Sequence, residues 1–238
     1  MLALWLREIG EVFVVAPERP RSAIGHAVTL HKPLRLSEVT LGDGIRAWAS
    51  NGTPTDCVSL AYEVVMEGRA DLAFAGINDG ANLGWDITYS GTVMGALEAA
   101  ILGIPTVAIS VTGENGSSKH YEPAARFAQE AARKVLEEGL PPFTLLNVNV
   151  PDLPDRELRG VRVTTQGRRE YTDRIVVRED PRGQRYYWLS GKLKDDDGDE
   201  GSDIVAVRSG YISVTPIEID MTATGLLPTI RAWWPNTK

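Results

Sequence analysis

Two textures of apolar and polar positions alternate along the chain. Continuous runs rich in β-branched residues occur at Glu11 to Ala16 (EVFVVA), Ala70 to Ile77 (ADLAFAGI), Thr106 to Val111 (TVAISV) and Phe143 to Val150 (FTLLNVNV). Such runs predict strands buried on both faces. Pro17 ends the first, and Asn147 and Asn149 alternate outward in the last. Between them lie helical patterns. Asp56 to Glu67 carries Val58, Leu60, Ala61, Val64 and Val65, Thr92 to Leu102 is rich in Ala and Leu, and Tyr121 to Glu138 is a long amphipathic stretch. Leu2, Leu4, Leu6 and Ile9, set among Arg7 and Glu8, predict the end of an amphipathic helix with Gly10 as its C-cap. Strand–helix alternation of this kind predicts an α/β fold with a doubly wound, mostly parallel, Rossmann-like sheet.

The texture changes near Gly160, which divides an α/β core over residues 1–160 from a second part over residues 161–238. Val161 to Thr165 predicts a strand. Arg174 to Arg178 and Gln184 to Leu189 flank a Pro181-Arg182-Gly183 turn and predict a projecting β-hairpin. Asp195 to Glu200 (DDDGDE) reads as a solvated acidic loop, Asp203 to Ile217 as a strand, and Met221 to Trp234 as a short helix ending near Pro235. Hairpins and tails outside a core of this kind often join subunits. The chain opens on a helix, whereas the first strand of a doubly wound fold usually sits mid-sheet beside the ligand crevice. The most economical reading is that a strand and its turn are missing upstream of Met1.

Composition narrows the function. The 238 residues are 43% hydrophobic and 24% charged, which is ordinary for a globular chain. A net charge of −7 argues against a protein that coats nucleic acid, because such a surface must neutralise phosphates with Lys and Arg. A local positive site for a small anion remains compatible with that balance. The single Cys57 leaves no internal disulfide and fits a reducing compartment. No apolar run is long enough to span a bilayer, and the opening MLALWLREIG is too short for a signal peptide. A cytoplasmic protein, with neither membrane nor nucleic-acid polymer as partner, is expected.

The segment Gly76 to Gly95 (GINDGANLGWDITYSGTVMG) starts at the end of a predicted strand and finishes inside a helix. Ligands bind at that edge of an open parallel sheet. Its five glycines allow close approach of backbone N–H groups. Ser90, Gly91 and Thr92 precede the Ala-rich helix, where free N–H groups and two hydroxyls form an anion site. Asn78 and Asn82 offer oxygens to a metal and NH₂ groups to phosphate. A Gly/Asn-rich loop with an ordinary Ser/Thr N-cap is the alternative. A second loop, Pro17 to His26, holds Arg19 and Arg21 to attract an anion, Ser22 as a ligand to metal or phosphate, and His26 as either an acid–base group or a structural one. In Asn51 to Cys57, Thr53 before Pro54 predicts an N-cap, and Gly52 and Thr53 border the site. No nucleotide P-loop, dinucleotide fingerprint, serine-hydrolase elbow or zinc cluster occurs. A metal here needs hard oxygen ligands, hence Mg²⁺, Mn²⁺ or Ca²⁺.

The stretches Val12 to Leu30, Asn51 to Ala61, Gly76 to Gly95, Leu145 to Pro151 and Gly210 to Thr222 together resemble the survival protein SurE family of metal-dependent 5′-nucleotidases. They are collinear and cover nearly the whole chain. The resemblance implies a Rossmann-like core, a projecting hairpin, a C-terminal segment exchanged between subunits of a homodimer or homotetramer, and nucleoside monophosphates as substrate. It places Ser22 and Asn78 on a divalent metal (Mg²⁺ or Mn²⁺), Ser90, Gly91 and Thr92 on the substrate phosphate with Asn82 beside them, and Gly25, His26, Gly52, Thr53 and Asp79 along the lining. The family's two adjacent aspartates lie in an N-D-D-G turn with no counterpart here. Two neutral ligands hold a hard dication weakly. Little metal affinity and little phosphatase activity are therefore expected of this chain. A nucleotide-binding protein without turnover and a phosphatase acting on polyphosphate or other phosphomonoesters are the competing readings.

Overall fold

The computed structural model describes residues 1–113, 118–172, 175–195 and 199–234. The first helix, α1 (Leu2–Leu6), is shorter than its apolar pattern suggests. Arg7 closes it, and Gly10 returns its N–H to the Leu6 carbonyl without entering the left-handed region that marks a glycine C-cap. Strand β1 (Val14–Pro17) takes in Pro17 as its last residue. Two strands then appear that the hydrophobic pattern does not announce, β2 (Leu36–Thr40) and β3 (Arg46–Ser50). Both are short and mix small, polar and apolar residues. β3 pairs parallel to β1 and antiparallel to β2, giving a three-stranded sheet in the order β1-β3-β2.

Helix α2 (Pro54–Leu60) begins as predicted at Thr53, whose side chain accepts from the Asp56 N–H while the Asp56 carboxylate accepts from the Thr53 N–H. This reciprocal cap satisfies two of the backbone donors that a helix start leaves over. A π-helical turn, Ala61–Val65, replaces the remaining predicted turns. The core strands follow: β4 (Ala73–Asp79), then helix α3 (Gly91–Ile101), β5 (Thr106–Val111), α4 (Tyr121–Glu138) and β6 (Thr144–Val150). β4, β5 and β6 are parallel neighbours, as the strand–helix alternation predicts.

Beyond Gly160 come β7 (Val161–Val163), β8 (Arg169–Thr172), β9 (Ile175–Glu179), β10 (Arg185–Leu189) and β11 (Lys192–Asp195). β9 and β10 form the expected antiparallel hairpin, and β8 pairs with β11 at its base. The predicted start of the hairpin at Arg174, and Asp196 to Gly198 of the acidic loop, lie outside the described residues. The single strand expected from Asp203 to Ile217 is two elements, helix α5 (Asp203–Arg208) and strand β12 (Ile212–Glu218). The Ser202 hydroxyl caps α5 by accepting from the Val205 N–H at 3.3 Å, and Gly210 turns the chain at a φ of 81°. That capping overrides the β-branched composition of the segment. β12 enters the main sheet antiparallel to β6, with order β4-β5-β6-β12-β7. The tail forms helix α6 (Leu227–Trp233) after a 3₁₀ turn, and the predicted end at Pro235 lies outside the described residues.

Alternation along the strands assigns the two faces. Val107, Ile109 and Val111 of β5 and Val148 and Val150 of β6 pack with Ala124, Ala128 and Val135 of α4. Ala108 and Leu145 turn to the opposite face, against Val93, Met94, Ala96 and Leu97 of α3. No described helix is long and apolar enough to cross a membrane.

Candidate functional site

The carboxyl ends of β1 and β4 meet at the start of α3. Ser90 is the N-cap of α3, its hydroxyl accepting from the Val93 N–H at 3.1 Å. That leaves the N–H groups of Gly91 and Thr92, the first two of the helix, outside the cap, at the positive end of an 11-residue dipole. Thr92 donates its hydroxyl to Asn78 Oδ1 at 3.2 Å, and Asn78 Nδ2 donates to the Gly80 carbonyl at 2.9 Å. The α3 start and the β4 end are thus tied together by side chains.

The loop after β1 closes over the same point. A side-chain carbon on Gly91 would lie 3.1 Å from Ile24, 3.1 Å from Pro54 and 3.3 Å from the Arg21 carbonyl oxygen. A side chain there would press on the Arg21–Ile24 loop and the start of α2, which glycine lets approach the helix end closely. Ser22 lies in that loop and is exposed. Gly25 donates its N–H to the Tyr89 carbonyl at 3.0 Å, fixing the loop to the turn before α3. His26 faces down the helix, its Nε2 2.9 Å from Glu98 Oε2, and Ser59 donates to the other oxygen of Glu98 at 3.1 Å. His26 is thereby engaged with a carboxylate about two turns from the α3 start.

Gly52 and Thr53 support this loop from below. Thr53 donates its hydroxyl to the Ala27 carbonyl at 2.6 Å, and the Gly52 N–H bonds to the Ser50 hydroxyl. Asp56 also accepts from the Thr29 N–H at 3.0 Å. Burial pushes the Asp56 carboxyl upward, but the hydrogen bonds from Thr29 and Thr53 outweigh it and hold the group below its ordinary value. Burial and the neighbouring Asp56 push the Cys57 thiol up to about 12, so it is a packing group and not a nucleophile at neutral pH.

Asn82 is buried and forms the hub of a network that sequence reading did not find. Its Nδ2 donates to Ser110 Oγ at 2.7 Å and its N–H to Asn149 Oδ1 at 2.9 Å. Its carbonyl accepts from Nδ2 of both Asn147 and Asn149, each at 2.9 Å. Asn147 and Asn149 are fully buried, so their outward alternation in the sequence is alternation toward the loop and not toward solvent. The signal was present: two amides spaced by two in an otherwise apolar strand need buried partners. In this arrangement the Asn82 side chain anchors the loop to the sheet.

A second anchor, also unread in the sequence, is Asp203. It is fully buried, with its carboxylate accepting from the N–H groups of Gly84 (2.8 Å), Gly167 (3.0 Å) and Ile204 (2.8 Å). Burial raises its carboxyl above the ordinary range even against these donors and Arg169. Asp79 is exposed on the far side of Asn78, its Oδ1 accepting from the Ser118 N–H at 3.0 Å, and hydrogen bonding to Ser118 lowers its carboxyl.

These residues do not fit a resident dication. Asn78 Oδ1 already accepts from Thr92, and Ser22 contributes a neutral hydroxyl. Among the described residues no group of three or more His, Cys, Asp or Glu converges on a point. The donor set is instead one for an anion: helix N–H groups, two hydroxyls and an amide.

Comparison with known proteins agrees with the sequence motifs. A profile of the survival protein SurE family matches residues 1–173. The chain is 50% identical over 232 residues to the 5′-nucleotidase SurE of Geobacter sulfurreducens, covering 98% of this chain and 87% of that protein. It is 49% identical over 233 residues to the 5′-nucleotidase SurE of Caldanaerobacter subterraneus subsp. tengcongensis, covering 98% and 90%. The solved structure of the SurE protein from Aquifex aeolicus superposes with a TM-score of 0.83 at 42% identity, covering 98% of this chain and 92% of that one.

Proposed function

The chain belongs to the survival protein SurE family, and on that premise we propose that it binds nucleoside 5′-monophosphates through their phosphate at the start of α3 and acts on the phosphomonoester bond. The observation that carries this reading is the Thr92–Asn78 hydrogen bond, which holds the uncapped Gly91 and Thr92 N–H groups at the carboxyl end of β4. A phosphate seated there meets the positive end of the helix dipole. The same donors oppose the charge that spreads over the equatorial oxygens during phosphoryl transfer. The Asn82 and Asp203 anchors hold the loop in place before the ligand arrives, so little ordering is left to binding.

Hydrolysis asks for more than this cradle. The family's divalent cation would supply Lewis-acid activation of the phosphoryl group and a nucleophilic water. Ser22 and Asn78 offer it two neutral oxygens and no carboxylate, so its retention by this chain is weak. A nucleotide-binding protein without turnover is accordingly the second reading, favoured by the donor set just described. Phosphate release from AMP, GMP and short polyphosphate, measured with and without Mn²⁺ beside AMP binding, separates the two. Binding without phosphate release supports the second reading, and Mn²⁺-dependent turnover at roughly 1 s⁻¹ or faster supports the first. Failure of AMP to bind at all contradicts both.

The same premise includes a homo-oligomer. Ile175, Val177, Tyr187, Trp188 and Leu189 are exposed on the β9–β10 hairpin, and Met221 and Trp233 on the tail. Of these, Ile175, Val177, Tyr187 and Leu189 share one face of the hairpin, and an exposed apolar face supports contact with a second copy. Light scattering of the wild-type chain and of Leu189→Lys tests it, with a smaller particle expected for the variant.

A further inference from the structure

The loop after β1 carries cations that a single bound phosphate leaves unused. Arg21 Nη2 donates to the Asn51 carbonyl at 3.3 Å, and Lys32 Nζ donates to the same oxygen at 3.4 Å. The two cationic groups therefore stand within about 7 Å of each other, where like charges repel. Among the described residues neither forms an ion pair, and neither do the neighbouring Arg19 and Arg35. Arg21 Nε is buried without a hydrogen-bond partner. In a chain of net charge −7, this meeting of unmatched cations is a local exception. The backbone holds it in place. Asn51 directly follows β3, at the carboxyl edge that β3 shares with β1. Its side chain accepts from the Arg35 N–H at 2.9 Å and donates to the Pro33 carbonyl at 3.4 Å, which ties the segment after Lys32 to the end of β3. Three residues on from Asn51, Pro54 lies 3.1 Å from where a side chain on Gly91 would begin, and the Arg21 carbonyl oxygen lies 3.3 Å from the same point. The cation pair and the start of α3 are thus neighbours on one rim.

We propose that Arg21 and Lys32 hold a second phosphate of the ligand whose first phosphate sits at the α3 start, so that the site selects nucleotides carrying two phosphates over nucleoside monophosphates. The inference rests on the phosphate reading of that helix end and names the substrate class it prefers. A guanidinium presents a planar fork of donors to phosphate oxygens, and the unpartnered Nε of Arg21 is one of them. Lys32 adds a point charge on a flexible stem from an exposed position. A phosphate between them supplies the full counter-charge that the Asn51 carbonyl, a neutral acceptor, does not. The second phosphate stands on the ribose or further along the phosphate chain. Both present the same chemistry to the pair, and the two are separated by choice of nucleotide.

Calorimetric titration of the whole chain with AMP, adenosine 3′,5′-bisphosphate and ADP tests this, in wild type, Lys32→Gln and Lys134→Gln. Lys32 is exposed, so its replacement leaves the fold intact. Lys134 is exposed on α4 and controls for net charge. At least one of the doubly phosphorylated nucleotides is expected to bind about tenfold or more tightly than AMP, because charge-assisted hydrogen bonds are the strong ones. A gain for the bisphosphate alone places the second phosphate on the ribose, and a gain for ADP alone places it in the chain. The preference is expected to narrow to within about threefold in Lys32→Gln, to persist in Lys134→Gln, and to weaken between about 50 and 200 mM KCl. If AMP binds and neither of the other nucleotides exceeds it by more than about twofold, the inference is overturned and the phosphate reading stands. If Lys134→Gln loses the preference as fully as Lys32→Gln, the effect belongs to net charge and the inference is overturned as well. Failure of AMP to bind removes the phosphate reading and the inference with it.

Discussion

Thr92 Oγ1 donates to Asn78 Oδ1 across 3.2 Å, joining the first turn of α3 to the carboxyl end of strand β4. The bond aims the start of the helix at the carboxyl edge of the sheet. Thr92→Val keeps the shape and removes the donor. AMP affinity is expected to fall about tenfold, equivalent to ~1.4 kcal/mol. Thr92→Ser restores it. Calorimetric titration of both variants checks this, and affinity within twofold of wild type for Thr92→Val would show that the hydroxyl is no part of the site.

Asp203 gathers three backbone N–H groups that lie far apart in sequence. Asp203→Ala leaves all three buried without partners and is expected to cost about 3–5 kcal/mol. Asp203→Asn keeps the oxygen that serves Gly167 and Ile204 but turns an NH₂ on Gly84, for about 1–3 kcal/mol. The carboxyl is raised in the folded chain by burial, so between 3.8 and that raised value the folded state binds more protons than the unfolded. Stability contributed by this group falls as pH rises through that window and is level above it. Urea unfolding across pH shows this slope in the wild type and its absence in Asp203→Asn.

Asp56 behaves in the opposite sense. Although burial opposes it, hydrogen bonding from Thr29 and Thr53 holds its carboxyl below the ordinary value of 3.8. Its stabilisation is present above 3.8 and is lost as pH falls through the lowered folded value. Asp56→Ala removes half of the cap of α2 and the tie to Thr29, with an expected loss of about 1–2 kcal/mol at pH 7 that shrinks in acid. Denaturant midpoints at neutral and acidic pH measure both numbers.

Gly76 sits in β4 at a φ of 136°, where an added side-chain carbon would lie 2.3 Å from the Ile109 carbonyl oxygen. Backbone cannot yield to that contact, so Gly76→Ala is expected to destabilise by more than about 3 kcal/mol. Gly10 has ordinary φ and nothing within 4 Å of the same position. Gly10→Ala is expected to change stability by less than about 0.5 kcal/mol. Parallel melts of the two variants make the comparison.

The core strands and helices were legible because their periodicity is strong. Val107, Ile109 and Val111 face one layer and Ala108 the other, and the sequence displays that alternation openly. The Thr53 cap was equally readable, since Thr-Pro-Thr-Asp carries its own local chemistry. β2 and β3 were not, because an edge strand such as Leu36–Thr40 is mostly exposed and owes its form to its neighbour. α5 was masked by the β-branched residues of Ile204, Val205 and Val207, against which the Ser202 cap decides. At the site, Ser90 to Thr92 and Asn78 announced themselves through local motif. Asn149 and Asp203 reach the loop from 67 and 119 residues away, a relation only the fold creates.

Recognition at the start of α3 turns on the phosphate. Competitive titration of the wild-type chain with AMP, adenosine and inorganic phosphate measures it directly. AMP is expected to bind at least tenfold more tightly than adenosine, with inorganic phosphate displacing it and Thr92→Val erasing most of the difference. Equal binding of AMP and adenosine, unaffected by inorganic phosphate, would contradict the assignment of the α3 start as the phosphate site.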